Sequence, residues 1–210
     1  KQTIGILANV PNSVCRVTKG KDGNKFSIAR VALPFDKVNA VILDATANHN
    51  KQYMLLGKEV ANIINPPKGI RTYKNVTVCV SYGHRLGRVY LKDASCKLTS
   101  SILKELPQEI RSASKLLICT HSNIEDDFRG YEGLPSYDIA HYGAIDGRND
   151  WNRHNAMLIF GLPYIPPHAL EAQAVALEVY HGKKLKRGKV MAYLQKSAII
   201  TQIIQAMNRI

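Results

Sequence analysis

Cysteine and acid are scarce in this chain, and long apolar runs are missing. The four cysteines, Cys15, Cys79, Cys96 and Cys119, form no CxxC pair and match no zinc-ligand spacing. Cys79 and Cys119 lie inside apolar runs and read as buried free thiols, so a reducing, intracellular setting is expected, cytoplasmic or nucleoid-associated. No apolar run approaches about 18 residues, which excludes a membrane-spanning helix, and no membrane partner is expected. The chain opens Lys-Gln, with no apolar leader and no Met, and the expectation is a processed chain or a piece of a longer one. No GxGxxG opens a strand–helix unit, which argues against a nicotinamide-dependent oxidoreductase. There is no GxxxxGK[ST] and no Asp-Glu pair of the kind that holds Mg²⁺. By itself the chain is therefore not expected to hydrolyse ATP.

What is present suits a globular α/β protein. The 210 residues are 45% hydrophobic, enough for a sizeable core and one domain, with an appended piece at most. Lys plus Arg is 29 against 16 Asp plus Glu, a formal net charge of +13. Such a charge says nothing about fold but favours a polyanionic partner, nucleic acid first.

Residues 1–36 read as a strand-rich lead-in, a β-hairpin. Ile4 to Val10 is apolar, Lys19 to Asn24 is turn chemistry, Phe26 to Leu33 alternates, and Pro34 punctuates. Residues 37–210 then alternate strand and helix. Strands are expected at Val38–Leu43, Val60–Ile64, Val76–Val80, Leu116–Cys119, Ile139–His141 and Ala156–Phe160. Helices are expected over Lys51–Gly57, Thr99–Ser112, Ala169–Tyr180 and Lys189–Met207, with Pro166-Pro167 before the third and Gly182 after it. Continuous apolar strands between helices indicate a mostly parallel sheet covered on both faces. Ligands of such sheets bind at the carboxyl ends of the strands, and the polar residues cluster there.

Those clusters, in order, carry a resemblance. VILDATA (41–47) is a strand ending in a short Ala-Thr turn, followed by YMLLG (53–57). KLLICTHSN (115–123) is a buried strand running into hydroxyls. HYGAIDGRNDW (141–151) and AMLIFGLPYIPP (156–167) form a loop and the next strand. QAMNRI (205–210) closes the chain. Over about 37–210 this set resembles the second, C-terminal RecA-like motor domain of superfamily 2 ATP-dependent helicases. The closest likeness is the branch that unwinds DNA from a single-stranded end. Asn208 stands where that family usually has Gly, and the chain ends within motif VI, one residue after Arg209.

The resemblance implies a RecA-like fold and an ATP cleft shared with a first RecA-like domain. That domain would supply the phosphate cradle and Mg²⁺, so the parent protein is expected to use ATP and Mg²⁺ while this chain alone binds neither as a resident cofactor. It implies that Arg209 faces the γ-phosphate and Gln205 hydrogen-bonds near it, the pair assigned to catalysis. Asp44, Thr46, Gly147, Asn149 and Asp150 would form the cleft and its coupling to nucleic acid. Thr120, His121 and Ser122 would bind the phosphates of a single strand, expected to be DNA. The basic run from His181 to Lys189, with Lys183, Lys184, Lys186 and Arg187, reads as a second backbone contact.

Plainer readings stand beside these. Arg209 suits a helix-end cation, His121 and His141 suit structural histidines, Asp146 and Asp150 suit turns, and Trp151 suits a packing anchor. Two other functions fit parts of the pattern. A basic Rossmann-like module could bind nucleic acid with no motor role. A metal-dependent nuclease could use His141, Asp146, Asn149, Asp150 and His154, although no metal-ligand frame surrounds them.

Overall fold

The computed structural model describes residues 14–20, 23–29, 41–42, 44, 46–57, 61–65, 67, 69, 73–82, 86–87, 90–91, 99–145 and 148–210. The chain divides into two compact units: Lys1–Ile64 with Ile165–Ala198, and Asn65–Tyr164 with Ile199–Ile210. No described helix is long and apolar enough to cross a membrane.

The second unit holds a three-stranded parallel sheet. Leu116–Thr120 (β3) lies in the centre, with Tyr137–His141 (β4) on one side and Ala156–Ile159 (β5) on the other. The central strand is buried on both faces, and Leu116, Leu117, Ile118 and Cys119 are all 0% exposed. Alternation sends them to two cores. Leu116 and Ile118 meet Ile102, Leu103, Ile124, Phe128 and Phe160 on one face. Leu117 and Cys119 meet Ala140, Ile145, Trp151 and Ala206 on the other. A continuous apolar run is what a doubly covered parallel strand requires, and each fully buried Leu or Ile contributes about 1.5–3 kcal/mol.

The helix expected over 99–112 is two pieces. Residues 99–104 are helical, and a separate turn, Gln108–Arg111, follows Pro107. Proline disfavours helical backbone at the residue before it, so the break follows from chemistry already visible at Pro107. Arg111 ties the pieces together, donating to the carbonyls of Leu103, Lys104 and Leu106. A 3₁₀ helix at Ser122–Phe128 follows β3 and has no counterpart in the sequence expectations.

Two further expectations are corrected. Residues 61–64 and 76–80 are irregular rather than strands. Val76, Val78 and Val80 are exposed, and so is Cys79, which was expected to be buried. Alternating Val supplies β propensity, but a strand forms only where a partner edge takes its hydrogen bonds. Of the strand expected at 38–43, residues 41 and 42 are irregular and 43 and 38–40 lie outside the described residues.

In the first unit a hairpin forms, as expected for the lead-in, but its first strand is Val14–Gly20 (β1), which the sequence expectations did not include; it pairs with Gly23–Ala29 (β2), antiparallel from Val14↔Ala29 to Gly20↔Gly23. Its turn falls within the expected 19–24; the Ile4–Val10 segment lies outside the described residues. The helices there are Lys51–Leu56 (α1), Pro167–Tyr180 (α3) and the first part of Arg187–Met207 (α4), taking Gln108–Arg111 as α2. Pro167 opens α3, where a missing N–H costs nothing. A Schellman turn closes it: Lys183 N–H donates to the Glu178 carbonyl and Gly182 N–H to that of Val179, with Gly182 at φ +61°. Leu170 and Leu177 of α3 pack on Leu194 of α4 together with Leu55 and Leu56 of α1.

Gly161, just after β5, has φ +92°, and a Cβ there would lie 2.9 Å from the His121 ring. Gly143 has nearly the same backbone, φ +91°, with nothing within 4 Å of such a Cβ. Gly143→Ala therefore meets backbone strain alone, about 1–2 kcal/mol. Gly161→Ala meets the strain and a clash, and is expected to cost about 2–4 kcal/mol. Urea unfolding of the two variants side by side checks the difference, and equal losses would show that the His121 ring gives way.

Candidate functional site

The carboxyl end of the sheet gathers polar side chains from three consecutive loops. Thr120 ends β3, fully buried, and its hydroxyl donates to the Phe160 carbonyl at 3.0 Å. His121 is buried beside Tyr142, ring centroids 5.4 Å apart, and packs on Gly161. Tyr142 donates its hydroxyl to the Gly161 carbonyl at 2.8 Å. Burial, reinforced by the Cys119 thiol beside it, pushes the Tyr142 phenol well above its ordinary range and holds it neutral. His141, the last residue of β4, meets the Glu125 carboxylate through Nδ1. Of the three residues expected to touch phosphates here, Thr120 and His121 are committed to the protein interior. Ser122, opening the 3₁₀ helix, is exposed.

The expected catalytic pair lies in the same unit. Arg209 follows α4 and donates from Nη1 to Asn149 Oδ1 at 2.9 Å, joining the chain end to the β4–β5 loop. Its Nε is buried with no hydrogen-bond partner among the described residues. Gln205 sits one turn earlier, partly buried. Asn208 accepts a hydrogen bond from the Tyr73 hydroxyl at 2.9 Å. Asp150 is held by Arg148 Nε and Nη2 at 2.8 and 2.5 Å, and the same guanidinium lies 5.2 Å from the centroid of the buried Trp151 ring. Gly147 and Asp146 lie outside the described residues.

Asp44 and Thr46 belong to the first unit. Thr46 is buried, and its backbone N–H and hydroxyl both donate to Asp44 Oδ1, at 2.8 and 2.6 Å. Tyr53 donates to Oδ2 at 3.0 Å. Burial works to raise the Asp44 carboxyl pKa, but the donors from Thr46, Tyr53 and Asn50 outweigh it, and the net value lies below the ordinary 3.8. The pair thus closes the turn into α1, whose cap is Asn50.

The basic loop between α3 and α4 exposes Lys183, Lys184 and Lys186. Arg187 is spoken for: Nε and Nη2 both reach Glu178 Oε2, at 2.9 and 2.6 Å, while Oε1 takes the Leu185 N–H. Hydrogen bonds from Arg187 lower the Glu178 carboxyl pKa, and the carboxylate raises that of the guanidinium.

The histidines and acids of the nuclease alternative do not converge. His141 ends β4 and His154 precedes β5, so in a parallel sheet they stand at opposite ends, roughly 16 Å apart for a five-residue strand. His154 is buried against the Trp151 carbonyl and Asp138, which also pairs with Lys115. Among the described residues no three His, Cys, Asp or Glu side chains gather as a metal site. Sequence reading missed Glu125, because its pairing with His141 exists only once the 3₁₀ helix follows β3.

Asp44→Ala removes the acceptor shared by Thr46, Tyr53 and Asn50 and is expected to cost about 1–3 kcal/mol at neutral pH. The folded carboxyl pKa is depressed, so its contribution is complete above the unfolded value and fades as pH falls through the folded one. Unfolding curves of wild type and variant should therefore stay apart from neutrality to about pH 5 and converge in more acid solution. A gap independent of pH would mean that the ionised form is not what the donors favour.

No family model, no curated protein and no solved structure matches the chain.

Proposed function

We propose that the chain contains the second RecA-like motor domain of a superfamily 2 ATP-dependent helicase acting on single-stranded DNA. The observation that carries this reading is the Arg209–Asn149 hydrogen bond. It sets the arginine of the last motif against the loop of the preceding one, at the end of a helix beside a parallel sheet. Support also comes from the sheet itself, whose strands are followed by polar loops, and from the +13 charge.

On this reading ATP lies between this domain and a first RecA-like domain, which contributes the phosphate cradle and Mg²⁺. Arg209 stabilises charge on the transferring phosphoryl group, a role worth roughly 10³–10⁵ in rate where an arginine plays it. Gln205 hydrogen-bonds beside it, and Gly147, Asn149 and Asp150 couple that site to the strand. The Asn149 contact orients the guanidinium before any ligand arrives. Ser122 and the exposed lysines of the 183–186 loop meet backbone phosphates, while Thr120 and His121 hold the β3 end in shape. Asp44 and Thr46 shape the turn that opens the domain.

Single-stranded oligonucleotide binding across a salt series tests this. Binding is expected to weaken steeply with salt. Lys183→Gln, Lys184→Gln and Lys186→Gln together should lower the log–log slope by about two units. Absence of binding at low salt overturns the reading. Binding with an unchanged slope in the triple variant moves the contact from the basic loop to the sheet end.

A further inference from the structure

Helix α4 carries Arg187, Lys189 and Lys196 and no acidic residue in its 21 positions. Its first turn, where the helix dipole favours acid, holds Arg187 and Lys189 and follows Lys183, Lys184 and Lys186. That arrangement opposes the dipole, and Glu178 relieves it in part, by pairing with Arg187 and through its attraction to Lys184. Such a local conflict is what a binding function leaves in a sequence otherwise consistent with its fold.

The helix is sharply divided. Val190, Leu194 and Ser197 follow one another at helical spacing on the inner side: Val190 and Leu194 belong to the apolar core of the first unit and Ser197 is buried. Lys189, Tyr193 and Lys196 repeat the same spacing one residue earlier and form a stripe of their own. Both lysines are exposed, and Tyr193 is 52% exposed although it is a large aromatic. A third cation comes from α1. Lys51 N–H donates to Ser197 Oγ at 2.7 Å, and that hydroxyl donates to the His49 carbonyl at 3.0 Å. These bonds fix the start of α1 one turn from Tyr193, and the Lys51 ammonium stands over the tyrosine ring, 6.0 Å from its centroid. An aromatic ring held open to solvent among three cations has the two elements that a single strand needs: a platform for a base and counter-charges for the flanking phosphates.

We infer that Tyr193 is a base-stacking platform for single-stranded nucleic acid, with Lys189, Lys196 and Lys51 on the neighbouring phosphates. This rests on the proposed single-strand binding and adds a specific surface to it, separate from the 183–186 loop. A single strand fits this surface better than a duplex, whose bases are already stacked on one another, or an acidic protein segment, which would use the cations and leave the ring without a base.

Binding of the full chain to a short oligothymidylate, and to an abasic strand of equal length, tests the inference. Tyr193→Ala is expected to weaken the oligothymidylate complex roughly 5- to 100-fold and to leave the abasic complex unchanged. Tyr193→Phe, which keeps the ring, should bind like wild type. Lys189→Gln with Lys196→Gln should lower the salt slope for both strands by about 1.4. Oligothymidylate binding that survives Tyr193→Ala, or an equal loss on both strands, overturns the stacking role while single-strand binding stands. Wild type that binds neither strand overturns both. Thermal unfolding of each variant separates a lost contact from a lost fold, since the exposed Tyr193 ring should be removable without a change in midpoint.

Discussion

A strand buried on both faces sets the terms for the sheet-bearing unit. The side chains of β3 alternate between two apolar cores, so neither face can be left to water. One face is covered by residues 99–111 and the 3₁₀ helix. The other is covered by Trp151, Ile145 and the last turn of α4. Closing both faces brings the β4–β5 loop and the chain end together, and the Arg209–Asn149 contact follows from that closure. The candidate chemistry is thus a by-product of covering Leu117 and Cys119.

The same closure decides which polar groups remain available. Strand ends expose carbonyls that must find donors. Thr120 and Tyr142 supply them, to Phe160 and Gly161. Residue type and position at a strand end mark Thr120 as a ligand-binding candidate, yet the backbone claims it first, as it claims Tyr142. Ser122 and Asn149, one step further into the loops, escape that demand and stay at the surface. Arg187 follows the same rule in the first unit. It belongs to a basic run in sequence but is held by two hydrogen bonds to Glu178, while the three lysines before it are exposed, Lys184 near enough for the same carboxylate to feel its charge. Their charge stands against the dipole of the helix that follows, as does that of Lys189. The exposed face of α4 is therefore read through electrostatic cost as well as charge count.

Length and continuity of apolar runs were enough to locate β3, β5, α3 and α4 from sequence, and of β4 only the last three residues, Ile139 to His141. The hairpin turn was equally legible, through Gly20 and Gly23. Val76 to Val80 shows the limit. Its alternation is as clear as that of β2, but no described strand pairs with it and it stays irregular. Pro107 shows a different limit: apolar spacing runs through it at helical period, yet the proline breaks the helix.

Sequence alone determined the α/β class of the sheet unit, the place of its central strand with the polar residues that follow it, and the cationic character of the chain. These depend on local periodicity, residue chemistry and composition, which a chain carries whether folded or not. Tertiary structure decided that His141 and His154 stand at opposite ends of the sheet, that Glu125 meets His141, that Arg209 meets Asn149, and that Lys51 reaches Tyr193. Each is a contact between residues distant along the chain or turned together by a fold. Only packing, which closes loops against their conformational entropy, selects such contacts.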